Sequence, residues 1–346
     1  MEELRFGVIG CGGMASQVHC PNVAAIPGVC TWAYCDVEED KARRLLEAHG
    51  GEYTTTDADR IFNDPHLHGV LIMTGPRMHP DLVQGAAKAG KHIFVEKPIA
   101  IALSDAVETV RVVEAAGVKF IHGTCNRLAP MVRQAKRMCP HPLFSYCQCT
   151  DTITHQAVHN IDLAVNLFHE APLLRVYASG GDYWGLDPHL PVDSFSAVLT
   201  FADGSTHTYI QHGRAYNPML KKYHYQLFGK DCCVYLAKRF KECHLMRGPN
   251  EVEQSWVFNG EDFNRGPFGY MGHYDELVEL ADCIRNGGTG SMSVRDAAYV
   301  LAVEKAILKS AQVGAVVDFP AFLNENEAAF LLEGRGDNPA QTTQAK

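Results

Sequence analysis

Phe6-Gly7-Val8-Ile9-Gly10-Cys11-Gly12-Gly13-Met14-Ala15 decides the first half of the chain. A short apolar strand runs into a glycine-rich turn, and a helical pattern opens behind it. Gly10 permits the tight turn, Gly12 lets the backbone approach a pyrophosphate, and the small Ala15 lets helix and strand pack closely. The helix N-terminus at Gly13 and Met14 supplies N–H groups and partial positive charge to phosphates. Alone, such a turn is weak support for a dinucleotide and can be purely structural. Asp36 agrees with it: at the end of the next strand, its carboxylate can accept hydrogen bonds from both adenosine ribose hydroxyls. Val37-Glu38-Glu39-Asp40 adds negative charge, with no arginine until Arg43, so a 2′-phosphate would be repelled. The expected cofactor is NAD rather than NADP.

Working outward, strand and helix patterns alternate through the first 120 residues. Strands are expected at 5–9, 29–35, 69–74, 92–96 and 118–122. Helices are expected at 13–26, with Pro21 near its start or bending it, and at 38–49, 80–89 and 104–116, with Ser104 as cap. Repeated βα units of this length imply an α/β fold, an N-terminal doubly wound parallel sheet. Beyond residue 126 the pattern becomes two-residue alternation, with Phe195, Ala197, Leu199 and Phe201 on one face and an Asp203-Gly204 hairpin turn. This reads as an α+β domain with a large, mostly antiparallel open sheet, flanked by helices near 156–168, 275–285 and 294–311. The expected division is 1–124, 125–322 and a partly disordered tail, 323–346.

The net charge of −9 and pI near 6.0 disfavour nucleic acid and anionic membranes. There is no signal-peptide pattern and no apolar run of about 18 residues, so a cytoplasmic location is expected. Cys11, Cys30, Cys35 and Cys233 sit in or beside strand patterns and read as small buried hydrophobes. Cys147-Gln148-Cys149 and Cys232-Cys233 lack metal-site spacing.

From residue 5 to about 320 the chain resembles the Gfo/Idh/MocA family of NAD(P)-dependent oxidoreductases. Gly90-Lys91-His92-Ile93-Phe94-Val95-Glu96-Lys97-Pro98 looks like its AGKHVxxEKP segment. Thr74-Gly75-Pro76-Arg77-Met78-His79 resembles TPNxxH, with Gly75 and Pro76 replacing Pro and Asn, and Arg127-Leu128-Ala129-Pro130 resembles RxxP. The resemblance implies that Thr74, Gly75, His79 and Glu96 serve the cofactor, that Arg127 serves the substrate, and that Lys97 lies between substrate and nicotinamide. A lysine ammonium there can position a reacting hydroxyl and stabilise developing alkoxide charge. A surface lysine paired with Glu96 is the bland alternative, and the Lys97-Pro98 bond is a candidate cis bond.

His155-Gln156-Ala157-Val158-His159-Asn160-Ile161-Asp162 resembles the family's DxGxHxxD helix start. The resemblance makes His159 the proton acceptor and Asp162 an orienting acid. His155 departs from the usual Asp or Lys. Three readings stay open for it: substrate contact or proton relay, an ordinary first-turn histidine, or a metal site with His159. For that site only His169 and His273 suggest themselves as weak third ligands, and no metal is expected. The family's long loop before this helix is missing, so the pocket should be open to larger glycosides or closed by a neighbouring subunit. Residues 260–273 are a candidate lid or a plain connection.

The leading expectation is an NAD-dependent dehydrogenase acting on a secondary hydroxyl of a sugar, glycoside or cyclitol. Two alternatives stand beside it: a glycosidase that oxidises, eliminates and returns the hydride to its substrate, and a non-catalytic NAD-binding regulator. The resemblance also implies a homo-oligomer, a homodimer or homotetramer, and Phe195, Tyr209, Tyr223 and Tyr225 are candidate contributors to an open sheet face, with the faces unassigned.

Overall fold

A computed structural model of the chain describes residues 3–187, 190–214, 223–248, 251–259 and 269–335, the side chain of Tyr223 excepted. The chain divides into two compact units, residues 1–130 with 258–301, and 131–257 with 302–346. Its helices are α1 (Cys20–Ala24), α2 (Glu39–His49), α3 (Ala58–Phe62), α4 (His79–Lys88), α5 (Leu103–Ala116), α6 (Pro130–Met138), α7 (Ile153–Leu163), α8 (His273–Asn286), α9 (Val294–Val313) and α10 (Phe319–Glu325).

The first unit holds β1 (Leu4–Ile9), β2 (Val29–Cys35), β3 (Tyr53–Thr55), β4 (Gly69–Ile72), β5 (His92–Val95) and β6 (Phe120–His122). They form one sheet in the order β3-β2-β1-β4-β5-β6, and every pairing is parallel. A parallel sheet is covered on both faces, which is why β4 reads Gly-Val-Leu-Ile with all four residues buried. Leu103, Ala106, Val107, Val110 and Val113 give α5 one buried stripe at helical spacing. Each such large aliphatic side chain contributes roughly 1.5–3 kcal/mol when fully buried. Burial of Leu103 also corrects the expected cap: α5 begins at Leu103 behind Ala102, and Ser104 lies exposed in the first turn.

The helix after the glycine turn is not a single α-helix. A π-helix, Ala15–His19, leads into α1, whose first turn holds Pro21. Proline is tolerated there because its missing N–H would have no helical partner. The wide turn buries Ala15, Val18 and His19 together. α8, far along the chain, packs in this same unit through Leu277, Leu280 and Ala281.

The second unit carries β7 (Phe144–Thr150), β8 (Leu173–Gly181), β9 (Ser194–Phe201), β10 (Thr206–His212), β11 (Tyr223–Phe228), β12 (Cys233–Ala237), β13 (Glu242–Met246), β14 (Gln254–Val257) and β15 (Val317–Asp318). The order is β14-β13-β12-β11-β7-β10-β9-β8-β15. β7 and β10 are parallel, and the other pairings are antiparallel. Phe195, Ala197, Leu199 and Phe201 are buried, while Ser196 and Val198 between them are exposed. The Asp203 carboxylate accepts from Ser205 N at 2.9 Å and braces the hairpin turn.

Faces expected to be open are corrected here. Phe195, Tyr209 and Tyr225 are buried on the inner face of the sheet. Tyr225 packs against Phe168 with ring centroids 5.1 Å apart, and its hydroxyl donates to Asn160 O of α7. The alternate positions Tyr177 and Val198 are the exposed ones. In the tail, α10 and a 3-10 turn at Ala329–Leu332 are ordered, while 336–346 lie outside the described residues.

Candidate active site

Four segments leave the carboxyl ends of neighbouring strands in the first unit. Gly10–Met14 follows β1, Asp36 follows β2, Thr74–Met78 follows β4, and Glu96-Lys97 follows β5. Strand order reverses between β1 and β4, the position where open α/β sheets bind ligands.

Each glycine of the turn has its own reason. Gly10 has φ +91°, and a Cβ on it would stand 2.7 Å from the Met73 carbonyl carbon. Its role is close packing of β1 on β4. A Cβ on Gly12 would meet nothing within 4 Å, so the backbone there faces open space. Asp36 Oδ2 accepts from Cys11 N at 2.7 Å, and Oδ1 accepts from Glu38 N at 2.9 Å. The carboxylate is thereby fixed against the glycine turn. Arg43 spends its charge on Glu39 and Asp40 of its own helix. An open cradle above Gly12 and a fixed acid beside it fit the phosphates and ribose of NAD.

His79, expected to serve the cofactor, lies inside the first unit. It is fully buried, with Nδ1 2.7 Å from Pro98 O and Nε2 3.0 Å from Thr74 O. It ties the segment after β4 to the segment after β5. Burial lowers its pKa, against the two carbonyl contacts. Arg127, expected at the substrate, is also taken up inside the unit. It is 7% exposed, its Nη1 donates to Ser291 O, and it pairs with Asp296 Oδ2 at 3.2 Å.

Lys97 is half-buried behind a cis Lys97-Pro98 bond. Its backbone N–H donates to Glu96 Oε2 at 3.1 Å. Glu96 Oε1 is 2.7 Å from His19 Nε2. Burial alone would raise the Glu96 carboxyl, but the His19 hydrogen bond and the neighbouring His19, Lys97 and His273 hold it well below the usual range. His122, also buried, is pushed down to about 3 by burial and by Arg127. His19 and His122 were not among the sequence candidates. The available signal for His19 was its place in the first turns after the glycine loop.

In the second unit, only Asp151 and Thr152 separate β7 from α7. His159 is buried on α7. His155, one turn earlier, is exposed, with Nδ1 3.4 Å from Asp151 Oδ1. Asp162 is buried and accepts from Asn166 Nδ2 at 2.9 Å. His169 lies between the Ser145 and Ser205 hydroxyls at 2.8 and 2.9 Å, a core position. His273 is in the first unit, 3.6 Å from Cys125 Sγ. Among the described residues, no three His, Cys, Asp or Glu side chains are grouped to hold a metal ion. All twelve cysteines are free thiols. Most of the expected lid, 260–268, lies outside the described residues.

Residues 4–124 match the model of the GFO_IDH_MocA oxidoreductase family, NAD-binding Rossmann fold. This part of the chain is similar to that family's NAD-binding domain. More particularly, it is 33% identical over 124 residues to myo-inositol 2-dehydrogenase of Thermotoga maritima, covering 36% of this chain and 37% of that one. An oxidoreductase of Bacillus subtilis, YrbE, is 25% identical over 227 residues, 59% of this chain and 65% of its own. The matches thus span less than two thirds of these relatives. The structure of levoglucosan dehydrogenase with NADH and L-sorbose superposes with a TM-score of 0.81 at 22% identity, over 92% of this chain and all of that one. That likeness extends the shared fold to the second unit.

Proposed function

We propose that the protein is an NAD-dependent dehydrogenase that oxidises a secondary hydroxyl of a sugar, glycoside or cyclitol. The observation that carries this reading is Lys97, half-buried on the loop after β5, on the same sheet edge as the glycine turn and Asp36. Similarity to an inositol dehydrogenase and a levoglucosan dehydrogenase supports the substrate class. NAD, when bound, supplies the hydride acceptor. Gly12, Gly13 and Met14 receive its phosphates, and Asp36 its adenosine ribose. Thr74 and Gly75 lie on the nicotinamide side, supported by His79. The Lys97 ammonium donates to the reacting oxygen and stabilises its developing negative charge. On the family resemblance, His159 of α7 is the proposed acceptor of the hydroxyl proton as the carbinol hydrogen leaves with its electron pair. His155, exposed beside Asp151, passes that proton to solvent.

A second copy of the chain packs, in this reading, on the outer sheet face bearing Tyr177 and Val198. Light scattering that gives a monomer removes this part. For the reaction, cyclitols, aldoses and aryl glycosides are incubated with NAD+, and nicotinamide absorbance is followed together with released phenol. NADH accumulation without phenol supports the dehydrogenase. Phenol without net NADH replaces it by an NAD-recycling glycosidase, for which the two-residue link before α7 leaves room. NAD binding without turnover on the whole panel points to a regulator.

A further inference from the structure

The connection that leaves β8 carries two neighbouring aromatic rings that the proposed chemistry does not use. Tyr183 is 67% exposed and Trp184 40% exposed, and their ring centroids lie 5.9 Å apart, edge to face at 77°. Large aromatic side chains are ordinarily drawn into a core by the area they can bury. Here hydrogen bonds to the backbone fix them outside one. Asp193, itself 3% exposed, accepts from Tyr183 N at 3.0 Å through Oδ1 and from Trp184 N at 2.7 Å through Oδ2. Asp182 Oδ1 accepts from Gly185 N at 2.9 Å and closes the turn.

Each ring also has a seat. A Cβ on Gly181 would stand 3.1 Å from Tyr183 Cζ. A Cβ on Gly213, just after β10, would stand 3.3 Å from Trp184 Cε3 and would overlap Leu186 Cδ1. Rings held in this way lose little conformational freedom when a ligand covers them. The connection is tied to the helix that bears the candidate histidines. Thr154 Oγ1, in the first turn of α7, donates to Asp187 Oδ2 at 3.1 Å, and His155 is the next residue. All of these residues belong to the second unit.

A pyranose ring has an apolar face of C–H bonds with hydroxyls around its rim. An exposed indole beside a phenol matches that chemistry: the flat ring takes the C–H face, and N–H and O–H are donors for rim hydroxyls. The acids Asp182 and Asp187 on the same stretch disfavour an anionic ligand. We propose that Trp184, with Tyr183, is a subsite for a second sugar ring, the ring of a glycoside beyond the one that is oxidised. The inference deepens the proposed function and rests on it, selecting glycosides within that substrate class.

The test compares cellobiose, maltose and lactose with glucose and galactose on the full chain. Trp32→Phe/Trp256→Phe leaves Trp184 as the single tryptophan. Its emission should change saturably with at least one disaccharide and, at the same concentrations, not with the monosaccharides. By ligand-observed NMR, Trp184→Ala should weaken the binding of that disaccharide at least about tenfold relative to wild type, and Trp184→Phe should keep most of it. No response to any of the three disaccharides, or an equal response to glucose, overturns the subsite. So does dissociation of an oligomer by Trp184→Ala in light scattering, which would make the ring a contact between copies. Should the double variant not fold, the NMR comparison of wild type, Trp184→Ala and Trp184→Phe decides alone. Binding is read without NAD and without turnover. An inactive protein that binds a disaccharide through Trp184 therefore sinks the dehydrogenase reading and leaves the subsite, whereas an active dehydrogenase in which Trp184→Ala changes neither disaccharide binding nor KM sinks only the subsite.

Discussion

His19 Nε2 lies 2.7 Å from Glu96 Oε1, and the other Glu96 oxygen receives the backbone N–H of Lys97 at 3.1 Å. The first helical turns after the glycine loop are thereby bonded to the turn that carries the central lysine. Cofactor cradle and candidate catalytic residue form one hydrogen-bonded frame within the first unit.

The two glycines of the cradle should respond oppositely to alanine. Gly10→Ala drives a Cβ into the Met73 backbone at positive φ and should destabilise the protein by at least about 2 kcal/mol. Gly12→Ala meets no protein atom and should leave the melting temperature unchanged while weakening NAD+ binding. Paired thermal melts and NAD+ titrations check both.

Asp36→Asn keeps an oxygen for the Cys11 N–H but removes the charge. The account expects NAD+ affinity to fall about tenfold and the preference over NADP+ to narrow. Unaltered discrimination between the two cofactors would remove Asp36 as the selecting group.

Arg127→Met tests a packing role against a substrate role. With the Arg127 contacts to Ser291 O and Asp296 removed, the expected loss is about 1–3 kcal/mol of stability. KM for the best substrate of the panel should stay near the wild-type value. A large rise in KM at unchanged stability would return Arg127 to the substrate.

Glu276 gives a pH dependence whose sign is fixed. Its folded pKa lies above its ordinary 4.5, so the folded state retains a proton that the unfolded state gives up. Its favourable contribution is complete below about pH 4.5 and fades as pH rises toward the folded pKa. Glu276→Gln should therefore gain stability over wild type, by more at about pH 8 than at about pH 5. Denaturant titrations at both pH values measure the difference.

The Rossmann half was legible because its signals are local. Gly10, Gly12 and Ala15 follow an apolar strand, and Asp36 closes the next one. Lys97 stood out through its motif. What stayed hidden depends on distant partners. Nothing near Arg127 announces Ser291 and Asp296, so its bonds within the first unit were not legible beside the motif. Tyr209 and Tyr225 alternate as an open face would, and only the helix packed over Tyr225 shows that their face is the covered one. Ser104 looked like a cap until burial of Leu103 set where α5 begins. His19 and Glu276 meet only because α8 returns to the first unit.

The most direct measurement is turnover of Lys97→Ala on the best hydroxyl substrate, with NAD+ affinity determined on the same preparation. The account predicts a kcat reduced about 10²–10⁴-fold at unchanged NAD+ affinity. Near-normal turnover would contradict it.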